Sequence, residues 1–177
     1  MKHLKTLLCL SLILLLPAAS QAQDSPMQKW LRTFEGRNGI TTVSITSAMF
    51  KLLSKIGSSD PGYKDVVNFA SKLQDFKVVV VDDEAPARAA GRNEFNRLLG
   101  SAPLGDFEEL MSVKESNSQI IFRVLERDNH IRELVMTITG SDQAIIFIKG
   151  DFKLNELTRI SDNVDIAGMD KIKKLKK

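Results

Sequence analysis

Residues 76–88 read FKVVVVDDEAPAR, and the way this stretch divides decides the fold. Phe76 to Val81 is an unbroken apolar run dominated by valine, whose β-branched side chain suits a pleated strand better than a helix. Such a run has no wet face, so it is expected centrally in a sheet covered on both sides, or near its middle. The acids Asp82, Asp83 and Glu84 stop the run, and a helix is predicted over 85–99, closed by Gly100. In this division Asp82 or Asp83 caps the helix and Glu84 adds negative charge near its positive end.

Upstream of that strand, Ser25-Pro26 is an N-cap followed by proline at the first helical position. Met27, Trp30, Leu31 and Phe34 then recur at helical spacing up to Gly36. GITTVSIT (39–46) reads as a strand whose place in the sheet the sequence leaves open. Ser47 opens a second helix with Met49, Leu52, Leu53 and Ile56 as its apolar stripe and Gly57 as its stop. Asp60-Pro61 repeats the start signal for a third, with Tyr63, Val66, Val67, Ala70 and Leu73 facing inward. Downstream, EELMSVKE, QIIFRVLER, HIRELVMTIT and AIIFIK are short runs separated by SNS, DN and GSDQ, which are hairpin-type turns. Asp151 then caps a last helix carrying Leu154, Leu157 and Ile160. Helices cluster early and strands late, so the fold class is α+β: a mainly antiparallel sheet with a C-terminal four-strand meander and helices packed on it.

The N-terminus bounds the compartment. Met1 to Lys5 is a short basic segment, Leu7 to Leu16 is nearly all apolar, and PAASQAQD supplies small residues at a cleavable junction. This is the pattern of a secretory signal peptide over 1–22, cleaved after Ala22, with Ala18 and Ser20 serving one step earlier. An apolar run of about ten residues is too short for a membrane span, which needs roughly twenty. Cys9, the single cysteine, lies inside that run and not at the junction, so no lipid anchor is expected. A mature chain from Gln23 then has no disulfide, thiolate metal site or cysteine nucleophile. Lys2 and Lys5 leave with the leader, so 25 basic residues fall to 23 against 22 acids. What basicity remains sits in the C-terminal tail, 168–177, with lysines at 171, 173, 174, 176 and 177. Residues 23–167 read as one domain.

VVVVDDEAPAR resembles the opening of a two-component receiver domain, where paired acids at a strand end help to hold Mg²⁺ beside a phosphorylatable aspartate. That resemblance implies a second aspartate at a later strand end, and Asp128 falls at the expected distance. It also implies strands alternating with helices. Here Leu134, Met136 and Ile138 alternate at period two with Glu133, Val135 and Thr137, as in a strand. Lys149 has no hydroxyl companion, some fifty mature residues precede the acid-bearing strand, and an exported chain would not meet the cytoplasmic phosphodonor. A central strand running into a helix cap accounts for the same residues.

Other chemistry is thin. His130, the one histidine outside the leader, sits in the turn DNH with Asp128 nearby, but no GxSxG elbow accompanies it. His130 and Glu133 are not a ligand pair on a strand, since positions three apart face opposite sides. Glu108-Glu109, Asp82-Asp83 and Glu126 are the carboxylates from which an acid/base pair would be drawn. Phosphate-loop, dinucleotide and zinc-protease motifs do not occur, and the few aromatics are not interleaved with basic residues as nucleic-acid binding requires. The sequence assigns no catalytic, cofactor-binding or metal-ligating residue and no cofactor. KIKKLKK, with Met169, Ile172 and Leu175 at a spacing of three, reads as a solvated tail with weak contact to an anionic membrane surface as its alternative.

The order of the leader ending PAASQAQ, WLRTFEG, ITTVSITSAMFKLL, FKVVVV and IIFRVLERDNHIRELVMTITG resembles an uncharacterised family of small exported Bacteroidota proteins, domain of unknown function 4252. The resemblance implies no activity, cofactor or site. Several of its relatives look like lipoproteins, a property the missing junction cysteine does not support here. Two functions remain: a non-catalytic envelope module binding a protein partner or ligand, with envelope signalling as one use, or an enzyme with an unrecognised carboxylate site.

Overall fold

The structure, a computed structural model, describes residues 24–56, 64–84 and 86–156. The leader, the helix signals at Gly57, Asp60-Pro61 and Tyr63, the positions Leu157 and Ile160, and the basic tail lie outside these residues.

Helix α1 (Pro26–Leu31) runs on into a 3-10 turn, Arg32–Phe34. Ser25 caps it reciprocally: its Oγ accepts from Gln28 N (3.2 Å) while Gln28 Oε1 accepts from Ser25 N (3.0 Å). This capping box satisfies donors that a helix start leaves open. As the spacing predicts, Met27, Trp30, Leu31 and Phe34 are buried. Strand β1 (Ile40–Thr46) leads without a break into α2 (Ser47–Ile56), and α3 (Lys64–Ala70) precedes β2 (Leu73–Val81). Helix α4 (Ala87–Leu99) is followed by β3 (Glu108–Lys114), β4 (Ser118–Arg127), β5 (His130–Gly140) and β6 (Ala144–Phe152).

All six strands form one antiparallel sheet in the order β1-β2-β6-β5-β4-β3. The fold is α+β, and the meander β3 to β6 follows the predicted runs. Its DN turn has both central residues at positive φ (Asp128 56°, Asn129 60°), which matches the right-handed twist of the flanking strands.

The main core lies between one side of the sheet and α1 with α4. Val79, Val81, Val135, Ile145 and Phe147 meet Trp30, Phe34 and Phe95 there. Trp30 packs edge-on against Phe34 (5.0 Å between rings), and its indole N–H donates to the Leu98 carbonyl (3.1 Å), joining the two helices. Where α4 crosses the start of β1, Gly39 and Gly91 touch backbone to backbone. A Cβ on Gly91 would lie 2.0 Å from the Gly39 carbonyl oxygen, so neither position admits a side chain without moving the helix. On the other side of the sheet α3 places Phe69 against Phe152, beside Val124, Ile131 and Leu134.

Five expectations are corrected. Strand β2 starts at Leu73, which therefore belongs to the sheet and not to the third helix. It lies second from the edge, and Val80 remains 39% exposed because α1 and α4 cover only the opposite side. Helix α4 begins at Ala87 with Pro86 as its N-cap and no side-chain cap bond, so neither Asp82 nor Asp83 caps it. In α2 the buried residue is Phe50, while Met49, Leu52 and Leu53 of the expected inner stripe are exposed. Asp151 is a residue of β6 and not a helix cap.

Candidate functional site

The acids of FKVVVVDDEAPAR emerge where β2 leaves the sheet. Asp82 Oδ1 accepts from Thr41 Oγ1 of β1 (2.6 Å), and Asp83 reaches Arg88 at 3.7 Å. Beside them Arg88 and Arg92, one turn apart on α4, donate to the carbonyls of Ser141 and Gly140 at 2.6–2.9 Å and clamp the β5–β6 turn. A cleft of about 210 Å³ remains among Asp83, Arg88, Arg92, Asp142 and Gln143. Asp128 is not part of it. Val80 is in register with Ala144 at one end of β6, whereas the Asp128 turn joins strands that reach Phe152 at the other. Asp82 and Asp128 therefore occupy opposite ends of the sheet and form no shared pocket.

A larger cleft, about 610 Å³, opens at the Phe152 end, between α1, the start of α2 and the α3–β2 junction. Asp24, Gln28, Lys51, Lys72, Lys149 and Asp151 are among its lining residues. Behind it lies a charged row that strand register builds on the α1 side: Asp75 of β2 is opposite Lys149 of β6, which is opposite Glu133 of β5. Gln28 stitches this row to α1, donating from Nε2 to Asp75 (2.7 Å) and accepting from Lys149 Nζ at Oε1 (2.7 Å). Glu133 is 3% exposed. Burial raises its pKa above the ordinary glutamate value, opposed by a hydrogen bond from Ser25 and the charge of Lys149 and reinforced by Asp75. A buried cation on the same face, Lys77, bonds Glu35 at 2.6 Å. Such groups remain under a helix only because each has a partner.

At the rim, His130 Nδ1 bonds Asp151 Oδ1, and Arg132 donates to Asp151 Oδ2 (2.5 Å). The histidine hydrogen bond holds the Asp151 carboxyl below the ordinary aspartate value, with Arg132 adding to it against a smaller opposing push from burial. Sequence reading put His130 beside Asp128 and missed Asp151, because Gly150-Asp151 has the look of a helix start. The signal that could have found it is the continuing β6 alternation, Phe147, Lys149, Asp151. Four of the five charged side chains that line the cleft are engaged: Asp24 with Arg32 (2.6 Å), Lys72 with Glu156 (2.5 Å), Lys149 with Gln28, and Asp151 with His130 and Arg132.

The other carboxylates singled out from the sequence are dispersed. Glu108 and Glu109 lie on β3, Glu126 near the exposed end of β4, and Asp82-Asp83 after β2. His130 and Glu133 take separate partners, and among the described residues no group of three or more His, Cys, Asp or Glu is placed to hold a metal ion. Arg123 bonds Glu109 across β3 and β4 at 3.3 Å as an ordinary surface pair.

Exposed apolar side chains, by contrast, gather. Among the described residues, Val43 of β1, Val80 of β2 and Met49, Leu52 and Leu53 of α2 are five of the seven exposed large hydrophobic residues, all on neighbouring elements, with Leu110 and Leu154 elsewhere. Apolar groups concentrated at one corner mark an interaction surface more often than scattered ones do.

The fold and these surfaces define a small α+β protein with a single antiparallel sheet, a guarded polar cleft and one apolar corner. The family model described as Domain of unknown function (DUF4252) matches residues 34–160, well over half of the chain, and the protein belongs to that family. No curated protein and no solved structure matches the chain.

Proposed function

We propose that this protein is an exported envelope module that acts by binding a protein partner and not by catalysis. The apolar corner of Val43, Val80, Met49, Leu52 and Leu53 carries the reading. Its side chains gain from leaving water, whereas four of the five charged side chains that line the large cleft already have partners. Export rests on the leader pattern of residues 1–22, and a role in envelope signalling is one use of such a module.

Cross-linking in the native envelope followed by affinity purification tests both parts. The expected product begins at Gln23 and holds a partner that a Leu52→Glu, Leu53→Glu chain releases. A chain retaining residues 1–22 removes the export reading. Partner capture that ignores the two substitutions removes the corner.

A further inference from the structure

We infer that β1 is a pairing edge, and that a second copy of this chain adds to it antiparallel about a two-fold axis through Val43. The inference rests on the binding corner proposed above and names its occupant. β1 is the first strand of the sheet order, and Thr41, Val43, Ser44 and Thr46 are exposed. Its seven residues, ITTVSIT, contain no charge and no proline, and its register with β2 is unbroken from Ile40 to Thr46. Natural sheets guard such edges with charges, proline or bulges, and β1 has none of these.

Hydrogen-bond parity fixes how a copy would dock. Asp82 N donates to the Gly39 carbonyl, while Val81 N turns away from β1 to Gln143. Bonding direction alternates along an antiparallel strand, so Thr41, Val43 and Ile45 exchange bonds with β2. Thr42 and Ser44 therefore present their N–H and C=O outward. A two-fold axis at Val43 sets Thr42 opposite Ser44 of the second copy and Ser44 opposite its Thr42, and each pair exchanges both backbone bonds. Val43 then faces its own symmetry mate in the close, non-hydrogen-bonded position, and Thr41 faces Ile45. No like charges meet on the strand, which is the condition a self-complementary interface must satisfy. The exposed face of α2 follows β1 without an intervening residue and supplies Met49, Leu52 and Leu53 beside the junction.

Cross-linking at the axis tests this. In the full chain, expressed with its leader and with Cys9 replaced by serine, Val43→Cys should form an intermolecular disulfide. Residues paired in this way have Cα atoms about 4.5 Å apart, at the near end of the roughly 4.4–6.8 Å that a disulfide accepts. Leu110→Cys, equally exposed on the opposite edge, should remain uncross-linked. The wild-type chain should sediment at twice the monomer mass and Val43→Lys at the monomer mass, with its unfolding still cooperative and no longer dependent on concentration. Equal cross-linking of both cysteine variants, or a Val43→Lys chain that stays dimeric, overturns the pairing. So does a wild-type chain that is monomeric at every concentration. If that monomer still captures a different envelope protein through Leu52 and Leu53, the pairing fails while the binding module stands.

Discussion

At one edge of the sheet, β3 carries Glu108, Glu109 and Lys114 within seven residues and its register shifts between Glu109 and Met111; at the other, β1 runs seven residues with no charge and no shift. The support behind the two edges also differs. α4 lies across β1 and β2 and closes on β1 through Gly39 and Gly91, whereas Gly105, just before β3, has nothing within 4 Å of a Cβ. The β3 edge is protected by its own side chains. The β1 edge is backed by α4 and, among the described residues, pairs with no strand beyond β2, and a fixed strand costs less entropy to pair than one that must first be ordered.

Truncating the support should give the largest effect. Phe95, fully buried against Phe34, is expected to cost about 3–5 kcal/mol as Phe95→Ala. Leu110→Ala on the β3 edge should stay within about 0.5 kcal/mol. Urea titration measures both, and similar costs would break the comparison. The same test at glycine comes next. Gly91→Ala must push α4 off the Gly39 backbone and should cost about 1–3 kcal/mol. Gly105→Ala, which meets no atom, should be close to neutral in the same thermal melts.

The polar layer between the edges sets a pH dependence. Glu133 has a raised pKa in the folded chain, so its contribution is complete below the ordinary glutamate range and is lost as pH rises through the raised value. Wild type should therefore lose stability relative to Glu133→Gln on going from acid towards neutral pH. Asp151 has a lowered pKa, so its contribution is present above the ordinary aspartate range and disappears as pH falls through the lowered value. Wild type should exceed Asp151→Asn at neutral pH and converge with it in acid. Stability measured across pH separates the two, and parallel profiles would show the layer to be electrostatically silent.

The smallest effect is expected where the sequence drew most attention. Changing both Asp82 and Asp83 to alanine removes the Thr41 bond and one exposed ion pair but no helix cap, so the loss should remain below about 1 kcal/mol in urea titration. A larger loss would mean that Asp82 also fixes the end of β1 against β2.

What was legible follows from how locally each signal is written. The period-two runs of β4 and β5, the DN turn and the Ser25-Pro26 start with Met27, Trp30, Leu31 and Phe34 depend on neighbours within a few residues, and all were readable. The α2 stripe was not, because several apolar faces were available and contact with β1, β2 and α3 selected Phe50. The apparent cap at Asp82-Asp83 misled because α4 starts further on, at Ala87, with no side-chain cap bond. Of the site, His130 was visible as a residue but its partner Asp151 was not, since they meet only once β5 and β6 are in register.

By itself, then, the sequence determined the elements: a strand at the valine run, a meander after it, a first helix with its cap, and a chain without a recognised catalytic motif. Tertiary structure decided what no local pattern contains. Pairing across β2, β6 and β5 aligned Asp75, Lys149 and Glu133 into one charged row, and the sheet order placed uncharged β1 at the edge of the described sheet. Side-chain periodicity fixes which residues share a face of a strand, but only the pairing of strands distant in sequence fixes what lies opposite them and which edge remains unpaired.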